Sequence, residues 1–240
     1  MMPTVVSAIN VAIRAFSNPG DKVIIQQPVY DPFAELIKKT GRVMVNNGLI
    51  CNDGLYEMDF PLLEEQAADP DAKIMILCSP HNPVGRVWTK EELARVGEIC
   101  KKNNVLVIAD EIHSDLVYAG YVHTPFALAS DAPHLVCTSL GKTFNVAGLR
   151  LANIFSSSAE LKKQYDQEID AYSYSASNTF GLEMVQAAYS PEGEAWLEEL
   201  LVYLQGNVEV VSEWCQKHNV GFTAVSYTHL RAHETAANLV

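Results

Sequence analysis

Two short runs of consecutive apolar residues constrain the fold more than any other feature of this 240-residue chain. Residues 73–78 and 105–109 are rich in aliphatic side chains and lack the alternation of a half-buried strand. Such runs are typical of parallel strands that are buried on both faces. Between them, residues 89–102 have a helical pattern that opens with Thr89 and Glu92 at the spacing of a capping box. This order predicts an α/β fold, with a mostly parallel sheet sandwiched by helices.

Polar residues follow each predicted strand. Asp110 comes directly after residues 105–109, and Asn82 lies in the segment 79–86, where two prolines and a glycine shape a loop. A third apolar run, residues 135–138, precedes Lys142. Ligands of open α/β sheets bind at the carboxyl ends of the strands. We therefore expect an acid, an amide and a lysine to meet at one edge of the sheet.

Lys142 has neighbours that suit a covalent cofactor. A lysine among small and hydroxylated residues at a strand end is well placed to hold an aldehyde cofactor as a Schiff base. Pyridoxal phosphate is such a cofactor, and its site also needs an acid beside the ring nitrogen, a donor near the ring oxygen, an aromatic face and an anion cradle. Asp110 and Asn82 supply the acid and the donor, so the sequence predicts a pyridoxal phosphate site.

The family resemblance rests on segments 78–88, 110–116, 123–126 and 142–149, which occur in the family's order and at its spacing. Over about residues 3–221 the chain resembles fold-type-I pyridoxal-phosphate enzymes of the class I/II aminotransferase superfamily, and within it the cystathionine β-lyases, or C–S lyases, of the PatB/MalY type. The resemblance implies a PLP-dependent transferase-like large domain, an amino-acid substrate and a homodimer in the full-length protein.

The resemblance also implies a role for individual residues. Lys142 matches the Schiff-base lysine, Asp110 the partner of the pyridine nitrogen and Asn82 the donor to the ring oxygen. Tyr30 matches the aromatic residue that stacks on the ring, and Ser139 and Arg150 match phosphate contacts. His113 occupies a position where the wider aminotransferase family has a tyrosine, which favours the lyase branch. His81 and His123 are predicted as loop histidines without a direct role.

Three functions remain open at this point. The leading hypothesis is a β-lyase that cleaves L-cystathionine or related S-substituted cysteines to a thiol, pyruvate and ammonia, with Lys142 as the base for the Cα proton. The second is an aminotransferase that uses the same site. The third is a non-catalytic fragment or a regulatory binding protein that keeps the fold but cannot close a site.

The resemblance divides the chain into three parts. Residues 1–190 match the cofactor-binding large domain without its N-terminal segment, and residues 191–221 match the interdomain helix and the start of a small domain. Residues 222–240 match nothing expected of the family, so Arg231 receives no role as the arginine for the substrate carboxylate. We expect the chain to be incomplete at both ends.

Composition narrows the class of partner. A net charge of −12 gives no basic signature for nucleic acid, and no apolar stretch reaches the ~20 residues needed to cross a bilayer. The five cysteines are scattered, without a C-x-x-C pair, and are predicted to be reduced core thiols rather than metal ligands. The expected compartment is the cytoplasm.

Periodicity predicts the other elements. Helical patterns cover residues 5–16, 31–39, 60–67, 159–171, 179–188 and 191–218. Further strands are predicted at residues 21–26 and 42–46, and residues 47–56 are predicted as a loop.

Overall fold

The computed structural model describes residues 1–52, 54–172, 179–221, 223 and 225–227. In this part of the chain the helices are α1 (Val5–Phe16), α2 (Pro32–Lys39), α3 (Phe60–Ala67), α4 (Lys90–Lys102), α5 (Phe126–Ala129), α6 (Leu140–Thr143), α7 (Ala159–Ala171), α8 (Thr179–Ala188) and α9 (Pro191–Lys217). The strands are β1 (Lys22–Ile25), β2 (Val43–Asn46), β3 (Ile50–Asn52), β4 (Leu55–Glu57), β5 (Ala72–Cys78), β6 (Leu106–Asp110), β7 (His134–Thr138) and β8 (Asn153–Ser156).

The main sheet has six strands in the order β2-β1-β5-β6-β7-β8. All neighbouring pairs are parallel except β7 and β8, so the antiparallel strand lies at one edge. The mostly parallel sheet predicted from the apolar runs is confirmed. Because β1, β5, β6 and β7 point the same way, their carboxyl ends meet at a single edge.

Helices cover both faces of the sheet. One core joins the apolar sides of α1, α2 and α7 to alternate residues of the central strands, including Ile76 and Ile108. The second core joins α3, α4 and α5 to the intervening residues, including Leu77 and Val107. This two-sided burial explains why the central strands read as continuous apolar runs, since neither face is left to water.

The predicted helices agree closely with the structure. The bounds of α1, α3, α7 and α8 are those expected from periodicity, and those of α2 and α9 differ by a single residue. The predicted capping box of α4 is present, with the Glu92 N–H donating to Thr89 Oγ1 at 3.1 Å and the Thr89 N–H donating to Glu92 Oε2 at 2.7 Å. Helix α9 carries large exposed apolar side chains, among them Trp196, Tyr203 and Trp214.

The prediction of a loop over residues 47–56 is wrong. The antiparallel strands β3 and β4 form a two-stranded hairpin there. Most of its side chains are exposed, so the segment carries none of the burial pattern by which a strand is found in a sequence. The short helices α5 and α6 were likewise not expected.

In the described part of the chain, no helix is both long and apolar enough to cross a membrane.

Candidate active site

The carboxyl ends of the parallel strands present the predicted site residues together. Asp110 is the last residue of β6 and is paired in register with Cys78 of β5 and Cys137 of β7. Asn82 lies in the loop that follows β5, and Lys142 lies in α6, directly after β7. The expected meeting of acid, amide and lysine at one edge of the sheet is therefore present.

A cavity of about 240 Å³ opens at this edge. Of the residues that the sequence singles out, Tyr30, Asn82, Asp110, His113 and Lys142 line it. They come from four separate loops or strand ends, which only the folded sheet brings together. A side of the same cavity is formed by the start of α1, through Thr4, Val5 and Val6.

The predicted phosphate contacts lie in an adjoining smaller cavity. Ser139 and Arg150 line a space of about 70 Å³ that shares Thr4, Val5 and Lys142 with the larger one. The Ser139 hydroxyl caps α6 by accepting from the Gly141 N–H at 3.0 Å, and it donates to the Leu151 carbonyl at 2.6 Å. Arg150 is exposed and adopts a left-handed backbone conformation with φ of 49°.

The start of α1 is a site element that the sequence reasoning missed. Thr4 caps this helix, so that its side chain accepts from the Ser7 N–H at 3.0 Å. The N–H groups of the first turn of any helix lack carbonyl partners within the helix and favour an anion. The signal was available, since a threonine directly before an apolar helical run marks a helix start. The pattern did not tell which end of the helix faces the strand ends.

Asp110 is almost fully buried, and this burial raises its pKa from an ordinary value of 3.8 to about 7. The charge of neighbouring Glu111 raises the pKa further, whereas the N–H of Ile112 and the charge of Lys142 lower it. The Ile112 N–H donates to Asp110 Oδ1 at 3.1 Å. A carboxylate in this position gains from any cation that enters the cavity, because an opposite charge nearby stabilises its ionised form.

The loop that carries Asn82 is held by buried contacts. Trp88 donates its indole N–H to the Cys78 carbonyl at 2.9 Å, and the backbone N–H of Asn82 donates to Cys78 Sγ at 3.4 Å. His81 is fully buried, packs edge-on against Trp88 with ring centroids 5.4 Å apart, and lies with Nε2 3.0 Å from the Pro28 carbonyl oxygen. The prediction for His81 is a loop histidine. In the structure it is a buried residue that connects its own loop to the loop of Pro28.

The rings of the site residues Tyr30 and His113 pack against different neighbours. The Tyr30 ring meets the buried ring of Phe33 edge-on, with centroids 5.7 Å apart. His113 is buried, and its ring lies 5.4 Å from that of Tyr227. Arg231, for which no role is predicted, lies outside the described residues.

A buried acid on the opposite side of the strand end holds the following loop. Glu111 Oε1 accepts from the Phe126 N–H at 2.7 Å, and Oε2 lies 3.2 Å from His123 Nε2. Both side chains of the pair are largely buried. His123 is therefore part of an anchor for the segment 112–125, which carries His113.

The chain is similar to a known protein family and to characterised members of it. Residues 1–234 match the family described as "Aminotransferase class I and II". Cystathionine beta-lyase PatB of Bacillus subtilis is 41% identical over 209 residues, which cover 86% of this chain and 54% of PatB. Protein MalY of Escherichia coli is 31% identical over 226 residues, which cover 94% of this chain and 57% of MalY.

Solved structures give the same picture. Cystalysin of Treponema denticola, whose crystal structure contains pyridoxal 5'-phosphate, superposes with a TM-score of 0.86 at 36% identity, covering 90% of this chain and 55% of cystalysin. A pyridoxal-phosphate-bound C–S lyase of Staphylococcus hominis gives a TM-score of 0.88 at 30% identity, covering 100% of this chain and 62% of that enzyme. The chain thus spans little more than half the length of the relatives it matches.

Proposed function

This chain belongs to the class I and II aminotransferase family, and on that premise we propose that it is the cofactor-binding part of a pyridoxal-phosphate-dependent carbon–sulfur β-lyase. The observation that carries the proposal is the 240 Å³ cavity lined by Lys142, Asp110, Asn82 and Tyr30. The reaction would convert an S-substituted cysteine and water to a thiol, pyruvate and ammonia. L-Cystathionine is the substrate that the names of PatB and of related enzymes suggest.

The donor groups of the cavity fit pyridoxal phosphate. A primary amine, a buried acid and an amide line one space, and an arginine lies beside the adjoining one. Burial raises the pKa of Asp110 to about 7 although the charge of Lys142 lowers it, and a protonated ring nitrogen nearby would stabilise the ionised form further. When bound, the cofactor supplies an electron sink for negative charge that develops at the substrate Cα.

Lys142 has the two roles that a primary amine can fill. Its Nζ would form the covalent bond that holds the cofactor, and after the substrate has displaced it, the same nitrogen would take the proton from the substrate Cα. The lysine lines both the larger and the smaller cavity. This position is consistent with a side chain that would reach both the cofactor ring and the Cα–H bond of the substrate.

Asp110 would keep the ring nitrogen protonated. Its carboxylate lies at the carboxyl end of β6, where burial strengthens the interaction between opposite charges. Asn82 would donate its amide N–H to the ring oxygen, and Tyr30 would stack on the ring face. His113 would lie beside the ring as a hydrogen-bonding group.

The phosphate would bind where Ser139, Arg150 and the start of α1 meet. An arginine can contact a phosphate through two N–H groups, and the first-turn N–H groups of α1 add the positive end of a helix dipole. Ser139 hydrogen bonds the Leu151 carbonyl in this structure, so its hydroxyl would have to turn to donate to phosphate.

The lyase reaction is favoured over amino transfer by one comparison and one expectation from the sequence. The chain is 41% identical to PatB, whose name describes a cystathionine β-lyase, and the resemblance of the motifs implies that His113 stands where the wider family has a tyrosine. An aminotransferase remains the second candidate, because the family description itself refers to amino transfer.

The remaining expectations belong to the same proposal. We place residues 1–190 in the large domain and residues 191–221 in the interdomain helix and the start of a small domain. We also propose a homodimer in the full-length protein, an amino-acid substrate, no nucleic-acid or membrane partner, and a cytoplasmic location. The acidic charge of −12 and the five free thiols support that location.

The test begins with the cofactor. The purified chain is mixed with pyridoxal phosphate, reduced with borohydride and digested, and the pyridoxyl label is located by mass spectrometry. We expect the label on Lys142 and its loss in Lys142→Ala, whereas Lys101→Ala, which changes an exposed lysine, should be labelled normally. A label that stays on another lysine would contradict the assignment.

The reaction is then tested with L-cystathionine. Pyruvate release without a keto acid supports the lyase, and amino transfer that requires a keto acid supports the aminotransferase. Labelling of Lys142 without either reaction in the full-length protein supports the third hypothesis, a non-catalytic or regulatory role.

A further inference from the structure

The helix that carries Lys142 is too short to hold itself in place. Helix α6 contains only Leu140–Thr143, and an isolated helix of this length is unstable because nucleation costs more than one turn recovers. Contacts from outside the helix must therefore fix the direction in which Lys142 leaves the backbone. At the start of α6 the Ser139 side chain provides such a contact.

A contact at the other end comes from a different segment of the chain. Thr143 is 1% exposed, and its Oγ1 donates to Asp115 Oδ2 at 2.9 Å. Asp115 follows β6 by five positions, in the segment that begins with Asp110 and contains His113. One hydrogen bond thus joins the turn that carries the lysine to the segment that carries the acid.

The position of Thr143 in the sequence makes this bond effective. Thr143 is adjacent to Lys142, so a rotation of the Thr143 backbone also turns the lysine. The acceptor is a carboxylate, and hydrogen bonds to ionised groups are stronger and more directional than those between neutral groups. On the N-terminal side of Lys142, the backbone packs closely against the residues that follow α6. A Cβ added to Gly141 would come within 3.3 Å of the Ala147 Cα, so this side has little room to move.

We propose that Asp115 and Thr143 are positioning residues that hold Lys142 in the orientation from which it captures the cofactor. The inference rests on the proposed function, because it assigns a purpose to the orientation of Lys142. Neither residue lines the 240 Å³ cavity, so both act through the lysine and not on the ring.

The test measures how fast Lys142 is labelled. The chain is mixed with pyridoxal phosphate, samples are reduced with borohydride at intervals, and the label on Lys142 is quantified. Thr143→Val keeps the shape of the side chain but removes the donor, and we expect about a tenfold slower labelling, the scale of loss that misplacement of a reacting group causes. Thr143→Ser restores the hydroxyl and should approach the wild-type rate.

The partner is tested in the same way. Asp115→Ala should slow labelling as much as Thr143→Val does, and the double variant should be no slower than either single variant, because both remove one interaction. Equal rates for Thr143→Val and the wild type, or strictly additive losses in the double variant, would overturn the inference.

A matched variant separates positioning from loss of stability. Thr40 is also buried, and its hydroxyl donates to the Leu36 carbonyl at 2.8 Å, at the end of α2 and outside the site. Thr40→Val should lower the thermal midpoint by a similar amount while Lys142 is labelled at the wild-type rate. If Thr40→Val slows labelling equally, stability alone explains the effect and the inference fails.

The same experiment distinguishes a failure of the proposed function from a failure of the positioning role. A wild-type chain that is labelled at a lysine other than Lys142, or not at all, overturns the proposed function and the inference with it. A wild-type label on Lys142 together with an unaffected Thr143→Val variant overturns the inference alone.

Discussion

His81 Nε2 lies 3.0 Å from the carbonyl oxygen of Pro28. A carbonyl oxygen only accepts hydrogen bonds, so this nitrogen carries the hydrogen. His81 precedes Asn82, and Pro28 is two residues before Tyr30, so the bond ties the loop of the ring-oxygen donor to the loop of the stacking residue. Burial lowers the pKa of His81 from an ordinary 6.5 to about 4, and the hydrogen bond to the Pro28 carbonyl opposes this shift only in part. The imidazole is therefore neutral at physiological pH.

Replacement of His81 is therefore predicted to destabilise the chain. His81→Phe keeps an aromatic ring against Trp88 but leaves the buried Pro28 carbonyl without its donor, which costs about 1–3 kcal/mol of unfolding free energy. Urea unfolding at pH 7 measures the loss. His218→Gln, which changes an exposed histidine at the end of α9, serves as the control and should cost well under 1 kcal/mol.

The pH dependence gives the same histidine a second signature. Because its pKa is lower in the folded chain than in the unfolded one, the unfolded chain binds more protons between about pH 4 and 6.5. The stability that neutral His81 contributes is complete above pH 6.5 and is lost as the pH falls towards 4. His81→Phe should abolish this part of the pH dependence, and an unchanged slope would contradict the assignment.

Asp110 is predicted to make the chain less stable as the pH rises, which is the opposite of the pH dependence expected from His81. Its pKa is raised from 3.8 to about 7 in the folded chain, mainly by burial, so between these values the folded chain holds the extra proton. The stability of the cofactor-free chain should fall as the pH rises from about 4 to 7 and stay reduced above that. Asp110→Asn removes the ionisation and should stabilise the cofactor-free chain at pH 8 by on the order of 1–4 kcal/mol.

Unfolding by urea at pH 5 and pH 8 tests this prediction. The gain from Asp110→Asn should be larger at pH 8 than at pH 5, whereas Glu209→Gln, on the exposed side of α9, should change neither value by more than a few tenths of a kcal/mol. A loss of stability in Asp110→Asn at pH 8 would show that the carboxylate is already neutralised in the folded chain.

The Glu111 anchor, meaning the contacts of Glu111 with Phe126 and His123, gives a fourth prediction. Glu111→Ala leaves the Phe126 N–H and the His123 ring without their buried acceptor, and we expect a loss of about 2–6 kcal/mol of unfolding free energy, since each unpaired buried donor costs about 1–3 kcal/mol. Glu64→Ala removes an acid whose pair with Arg95 is 3.4 Å long and half exposed, and should cost less than about 1 kcal/mol. Similar losses in the two variants would mean that the Glu111 contacts do not hold the segment 112–125.

Most of the fold could be predicted from the sequence, for reasons visible in particular elements. Helices such as α1 and α7 carry an apolar stripe over three or more turns, and the buried strands β5 and β6 are continuous apolar runs. The hairpin of β3 and β4 was missed because three-residue strands with exposed side chains show no period. Helix α6 was missed because four residues are too few for one.

The site was less predictable than the fold. Asp110, Asn82 and Lys142 could be expected at one edge because parallel strands bring their carboxyl ends together. The approach of the α1 start to Lys142, and the bond from Thr143 to Asp115, depend on how separate elements pack, which no local pattern encodes. The buried state of His81 was also hidden, since the residue lies in a segment rich in proline and glycine that is typical of exposed loops.

The adjacent acids Asp110 and Glu111 serve opposite sides of the sheet, one towards the Lys142 cavity and the other towards Phe126 and His123. Successive residues of an extended strand alternate in direction, so deleting a single residue from β6 would move Glu111 into the position of Asp110 and Asp110 into that of Ala109, on the other face of the sheet. Glu111 would then face the cavity, Asp110 would lie in the apolar core that surrounds Ala109, and the apolar Ile112 would face Phe126 and His123. Length variation within this strand should therefore be far more damaging than the substitution of any apolar residue in it.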